Sequence, residues 1–138
     1  MTKKKSKDLL TKLELAVMRV IWNSDGQPMT VRDVSDEMNR SQEKTLAYNT
    51  IQTILTILRE KGFVEAQRGP SRAHLFVSKK DRTHVSANMI GDLVDRLFDG
   101  RVEPLLHHLV DGEGLSRSEL EDLRTFIETK LDDGEVQS

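Results

Sequence analysis

Apolar residues recur at helical spacing along most of the chain and alternate with a period of two in one short stretch. Leu13, Val17, Val20 and Ile21 mark a first helix, and Leu15, Met18 and Trp22 widen its apolar face. Thr11-Lys12-Leu13-Glu14 fits a capping box, with Thr11 as the cap and Glu14 reaching back. The helix should stop near Asn23-Ser24-Asp25-Gly26-Gln27-Pro28, a run of turn formers. A second, short helix is expected from Thr30, with Asp33 as a partial capping box and Val31, Val34 and Met38 as a narrow stripe. A polar connector, Asn39 to Lys44, follows.

The third helix carries the most information. Ile51, Ile54, Leu55 and Leu58 lie at i, i+3, i+4 and i+7 and form one core-facing stripe. The opposite face shows Tyr48, Asn49, Gln52, Thr53 and Thr56, with Arg59 towards its end. Solvated helix faces favour Glu and Lys, whereas this one is polar and almost uncharged. Asn and Gln pair bidentately with adenine, and Thr offers a methyl to thymine or a hydroxyl to phosphate. An ordinary solvent face is the other reading of the same residues. Lys61-Gly62 closes the helix, glycine being suited to the left-handed position beyond a helix end.

A hairpin pattern comes next. Phe63 to Arg68 reads as one strand and Ala73 to Val77 as its partner, with Gly69-Pro70-Ser71-Arg72 between them. Ala73, Leu75 and Val77 alternate with His74 and Phe76, as in a half-buried strand. Arg68, Arg72, Lys79 and Lys80 gather around this hairpin, where basic side chains reach phosphates or a minor groove. Two helices, a polar-faced third helix and a basic hairpin follow the order of a winged helix-turn-helix.

The remainder is helical. Val85, Met89, Leu93 and Leu97 recur at four-residue steps over residues 83–98, beside Ile90, Val94 and Phe98. Val102, Leu105, Leu106 and Leu109 suggest a short helix, and Ser116-Arg117-Ser118-Glu119 caps another whose stripe is Leu120, Leu123, Ile127 and Leu131. Three short amphipathic helices have little to bury against within one chain, so a symmetric partner is expected to complete their core, the other reading being that they pack back on the winged helix.

Charge divides along the same line. Residues 1–80 hold 15 Lys/Arg against 9 Asp/Glu, a net +6, and residues 81–138 hold 6 against 14, a net −8. A basic half that meets a polyanion and an acidic half that stays away from it account for this asymmetry. With no cysteine, there are no disulfides and no thiolate ligands. His107 and His108 are adjacent, so on a helix they point about 100° apart and cannot readily share an ion. No metal or other cofactor is expected, and without a glycine-rich phosphate loop, H-E-x-x-H or G-x-S-x-G motif no enzyme is expected either. No apolar run long enough to span a bilayer and no secretory signal appears, which fits a cytoplasmic, nucleoid-associated protein without membrane insertion.

Taken together, Leu10-Thr11, Glu14, Val17-Met18 and Ile21-Trp22 resemble the opening signature of the penicillinase-repressor family (BlaI/MecI/CopY). Thr30-Val31-Arg32-Asp33-Val34 is similar to the family's second helix. Leu46 to Leu55, then Leu58 and Lys61-Gly62-Phe63-Val64, closely resembles its third helix and the start of its wing. The likeness covers residues 9–78 well and the rest loosely. It implies a winged-helix DNA-binding domain, a helical dimerisation domain and a repressor that sits on inverted repeats. A sensor-linked protease is implied as a partner in the lactam-responsive branch, whose members are cut at an Asn-Phe bond. The corresponding pair here is about His108-Leu109, so that scissile pair is missing. The copper branch's cysteine cluster is missing too, and Phe76 stands where the family's wing carries Tyr.

The expected fold is mainly α with a small β wing: a flexible basic tail over 1–8, a winged helix-turn-helix over 9–80 and a helical dimerisation domain over 81–138. Tyr48, Asn49, Gln52 and Thr53 are the expected base contacts. Lys3, Lys4, Lys5, Lys7, Thr45, Thr50, Arg59, Arg68 and Arg72 are the expected backbone contacts. Val85, Met89, Leu93, Leu97, Leu106, Leu109, Leu120, Leu123 and Ile127 are expected at a homodimer interface. The partners are then double-stranded DNA with an inverted-repeat operator and a second copy of the chain. Two other readings stay open: a winged-helix protein-interaction module without DNA binding, and a repressor that senses a small molecule.

Overall fold

In the computed structural model, which describes residues 9–41, 46–112 and 114–134, three helices begin on reciprocal side-chain caps. In the first, Thr11 Oγ1 accepts from Glu14 N at 3.2 Å and Thr11 N donates to Glu14 Oε1 at 2.9 Å. Thr30 and Asp33 make the same exchange at 3.0 Å in both directions, a shorter carboxylate replacing Glu. Ser116 and Glu119 complete the set at 3.0 and 3.1 Å. Each box satisfies two backbone donors that a helix start otherwise leaves open.

The helices so started are α1 (Lys12–Trp22), α2 (Val31–Ser41) and α6 (Arg117–Asp132); the others are α3 (Tyr48–Lys61), α4 (Arg82–Leu97) and α5 (Val102–Asp111). Two strands, β1 (Val64–Arg68) and β2 (His74–Ser78), form an antiparallel hairpin between α3 and α4. The chain makes two compact units, Met1–Ile90 and Gly91–Ser138, dividing within α4.

The first unit is a winged helix-turn-helix. Val17, Met18 and Ile21 of α1, Val34 and Met38 of α2, and Ile51, Ile54, Leu55 and Leu58 of α3 meet in one core. Each such side chain contributes roughly 1.5–3 kcal/mol on burial. Gly62 ends α3 at φ 84°, the left-handed turn that glycine takes without a Cβ penalty, and sends the chain into β1. The hairpin pairs Val64 with Ser78 through to Arg68 with His74. Phe76 is the residue of β2 that enters the core, while Leu75 and Val77 are half-buried. Its backbone N–H and C=O both pair with Met29, while Ala66 stands opposite it in the β1 register. Met29 N donates to Phe76 O at 3.0 Å and Phe76 N to Met29 O at 2.7 Å. Trp22 fixes the far end of the wing, its indole N–H donating to Ser78 Oγ at 3.1 Å and Lys80 O at 3.0 Å.

One ion pair locks the first helix to the third. Glu14 is 5% exposed, and its Oε1 lies 2.8 Å from Lys61 Nζ, which also donates to Leu9 O at 3.3 Å. Burial pushes the Glu14 carboxyl up. Hydrogen bonds from Lys61 and the Thr11 backbone, with the lysine charge, outweigh that and hold it below the ordinary 4.5.

The second unit contains the end of α4, then α5 and α6. Asp99 (φ 53°) and Gly100 (φ 79°) turn the chain between α4 and α5. Among its described apolar side chains, only Val94 is buried.

A carboxylate whose folded value is depressed stabilises the fold above its unfolded value and loses that contribution as pH falls through the folded one. Glu14→Ala is expected to cost about 1.5–3 kcal/mol at neutral pH, read from denaturant midpoints. Variant and parent should converge on acidification below pH 4.5; a gap independent of pH would show that the charge of Glu14 is not what stabilises the fold.

Candidate nucleic-acid interface

The core stripe of α3 decides what its other side presents. With Ile51, Ile54, Leu55 and Leu58 buried, Tyr48, Asn49, Gln52, Thr53, Thr56 and Arg59 are all exposed. Two of the hydroxyls are already engaged. Thr53 Oγ1 donates to Asn49 O, and Thr56 Oγ1 to Gln52 O, each at 3.0 Å. Their hydrogens are therefore spent within the helix, leaving lone pairs and methyl groups for a ligand. Asn49 and Gln52 keep their amides for recognition from outside.

The start of α3 is set by a clamp from α2. Asn39 Oδ1 accepts from Leu46 N at 2.9 Å, while its Nδ2 donates to Leu46 O and Ser35 Oγ at 3.4 Å each. This amide ties the two helices of the helix-turn-helix across the connector. Ala47 then occupies the N-cap without a side-chain hydrogen bond.

Beside α3 runs an open groove of about 580 Å³. Thr30, just before α2, and Arg32 in its first turn form one margin, and Tyr48, Gln52, Thr56 and Arg59 of α3 form its floor. Arg72, His74 and Phe76 of the hairpin form the other margin. Among the described residues, three guanidinium groups line it and no carboxylate does. Groups drawn from three elements converge there because α2 and α3 share the core and Met29 ties the start of α2 to β2. Such a surface attracts and orients a polyanion.

The structure brings four of the residues singled out in the sequence, Tyr48, Gln52, Arg59 and Arg72, into this groove. Asn49 and Thr53 lie on the same exposed helix side, and Thr50 is exposed in the first turn. Arg68 ends β1 opposite His74. Lys3, Lys4, Lys5, Lys7 and Thr45 lie outside the described residues. Arg32 and His74 were not singled out by sequence. Their available signals were the polar side of the Val34/Met38 stripe for Arg32, and proximity to Arg72 in a basic hairpin for His74. Asn39 had none, since its partner lies across a loop.

The apolar stripe of α4 is split between two fates. Val85 is buried in the core of the first unit and Met89 packs against that core, so neither is a surface for a partner. Leu93, Leu97, Leu106, Leu109, Leu123 and Ile127 are exposed, between 41% and 65%, and Leu120 is half-buried. Val102, Val110, Phe126 and Leu131 add to the exposed set. Among the described residues no helix is long and apolar enough to cross a membrane.

Several known proteins are similar to this chain. The methicillin resistance regulatory protein MecI of Staphylococcus aureus is 22% identical over 121 residues, covering 88% of this chain and 94% of that protein. The transcriptional regulator BlaI of Mycobacterium tuberculosis is 32% identical over 108 residues, covering 78% of this chain and 75% of its own length. The solution structure of the DNA-binding domain of the repressor BlaI superposes with a TM-score of 0.47 at 26% identity, over 60% of this chain and 92% of that one. The model of the penicillinase repressor family matches residues 10–129. The chain, with its winged helix-turn-helix and trailing helices, belongs to the penicillinase repressor family of transcriptional regulators.

Proposed function

We propose that this transcriptional repressor recognises an inverted-repeat operator as a homodimer, reading bases with α3 and gripping the backbone around it. The observation that carries the reading is the exposed amide and hydroxyl side of α3 beside a groove lined, among the described residues, by arginines and no carboxylate. Asn49 and Gln52 pair with adenine edges, Tyr48 and the methyl of Thr53 pack against neighbouring bases, and Thr50, Arg59, Arg68 and Arg72 hold phosphates. Lys3, Lys4, Lys5, Lys7 and Thr45 belong to the same backbone set.

The second copy is argued from what the trailing helices leave uncovered. A unit whose described apolar side chains include a single buried one, Val94, has too small a core to hold three helices together alone. Leu93, Leu97, Leu106, Leu109, Leu123 and Ile127 supply the apolar surface a symmetric partner covers. Two-fold symmetry then sets the two α3 helices into major grooves about 34 Å apart. A sensor-linked protease would release the dimer by cutting this unit; His108-Leu109, in the place of the family's scissile pair, is exposed on α5.

Base and backbone contacts separate in fluorescence anisotropy on the promoter duplex and on random duplex. Gln52→Ala is expected to lose about 1–3 kcal/mol on the promoter alone, and Arg72→Ala to weaken both duplexes alike. Equal losses on both for Gln52→Ala would remove Gln52 from base reading. Sedimentation tests the second copy: Leu97→Asp with Leu123→Asp should turn a dimer into a monomer, and a parent that is already monomeric at micromolar concentration refutes the homodimer.

A further inference from the structure

The groove beside α3 has two cationic or ionisable residues, Arg32 and His74, that belong to neither the base-reading nor the backbone set. They stand on opposite margins, one in the first turn of α2 and one in β2, with Arg59 and Arg72 lining the same space. Both are exposed, and among the described residues no carboxylate shares the groove with them. A space ringed in this way on three sides matches a chain of phosphates better than one flat base edge. Phosphate contacts come from several elements at once, whereas bases are read from the one that enters the groove of the duplex.

We propose that one strand of the operator backbone lies in this groove, with Arg32 gripping it alongside Arg59 and Arg72, and that His74 binds it as the imidazolium, so that DNA binding takes up a proton. The inference rests on the reading of α3 as the DNA-facing helix. The charged and titratable groups around His74 are Arg68 opposite it in β1, Arg72 in the hairpin loop, Arg32 from α2, and Tyr48 and Arg59 from α3. Among the described lining residues the charged groups are all cations, so the incoming phosphates supply the negative charge that favours the imidazolium. Histidine is the side chain that changes charge between about pH 5 and 8, so the linkage falls in a range where the repressor can be assayed. The direction is fixed: affinity rises as pH falls, on any duplex, because phosphates carry no sequence.

The test uses the full chain, Arg32→Ala and His74→Gln, on promoter and random duplexes, over a potassium chloride series at about pH 6 and about pH 8. Arg32→Ala is expected to lower the slope of log K against log salt by about 0.9 for each phosphate it leaves unneutralised, equally on both duplexes. The parent should bind more tightly at the lower pH, by at most about tenfold for each unit through which one proton is taken up, and His74→Gln should lose that dependence. Superimposable heat-denaturation curves for the parent and both variants, whose altered side chains are exposed, show that folding is not the cause. An unchanged salt slope in Arg32→Ala, or an unchanged pH dependence in His74→Gln, overturns the proposal. So does inorganic phosphate that stabilises the parent against heat while the DNA slopes of both variants stay at the parent's value, which assigns the groove to a small anion. A parent that binds both duplexes equally argues against base reading by α3, and the slopes on random duplex still decide the groove.

Discussion

The Glu14–Lys61 pair is the constraint on which the placement of α3 depends. It joins the first turn of α1 to the last turn of α3, two points 47 residues apart. The carboxylate that accepts from Lys61 also closes the α1 capping box, so one group serves a local and a long-range purpose. Just beyond Lys61, Gly62 turns the chain into β1. A shift of Lys61 would carry the wing with it. At the other end of α3, Asn39 fixes Leu46, the second residue before the helix. The helix is therefore pinned at both ends by polar contacts, while its apolar stripe fixes its rotation about its own axis. Rotation decides which side faces outward, and the pinned ends decide where that side sits relative to Arg32 and the hairpin.

What was legible in the sequence was what depends on near neighbours. All three capping boxes, the left-handed Gly62 and the helical stripes are written within a few residues of where they act. The polar side of α3 was legible for the same reason, since its buried stripe implies its exposed one. Residues that meet across the chain were not. Nothing near Lys61 announces Glu14, nothing near Phe76 announces Met29, and nothing near Trp22 announces Ser78 and the carbonyl of Lys80. Strand alternation set Phe76 apart from Leu75 and Val77, and Phe76, whose backbone pairs with Met29 far away in sequence, is the one that enters the core. Arg32 and His74 were missed because a groove built from three elements has no sequence period.

The apolar repeat of α4 teaches a related point. Val85, Met89, Leu93 and Leu97 look equivalent at four-residue steps, but the first two pack with the winged helix and the last two are exposed. A periodic stripe shows which side of a helix is apolar. It does not show where along the helix one packing partner gives way to another. The division of the chain falls between Met89 and Leu93 of this stripe, at Ile90 and Gly91.

The threonines of α3 have a chemical consequence. Because Thr53 and Thr56 donate their hydroxyl hydrogens to the helix, a nucleobase set against them in the proposed complex would meet carbon and lone pairs only. A methyl group against the C5 position of a pyrimidine senses bulk and hydrophobicity. Thymine carries that bulk, and so does 5-methylcytosine, whereas uracil and unmodified cytosine do not. At any step touched by one of these side chains, epigenetic marking of the DNA would change the surface that the protein meets while leaving the base pairing intact.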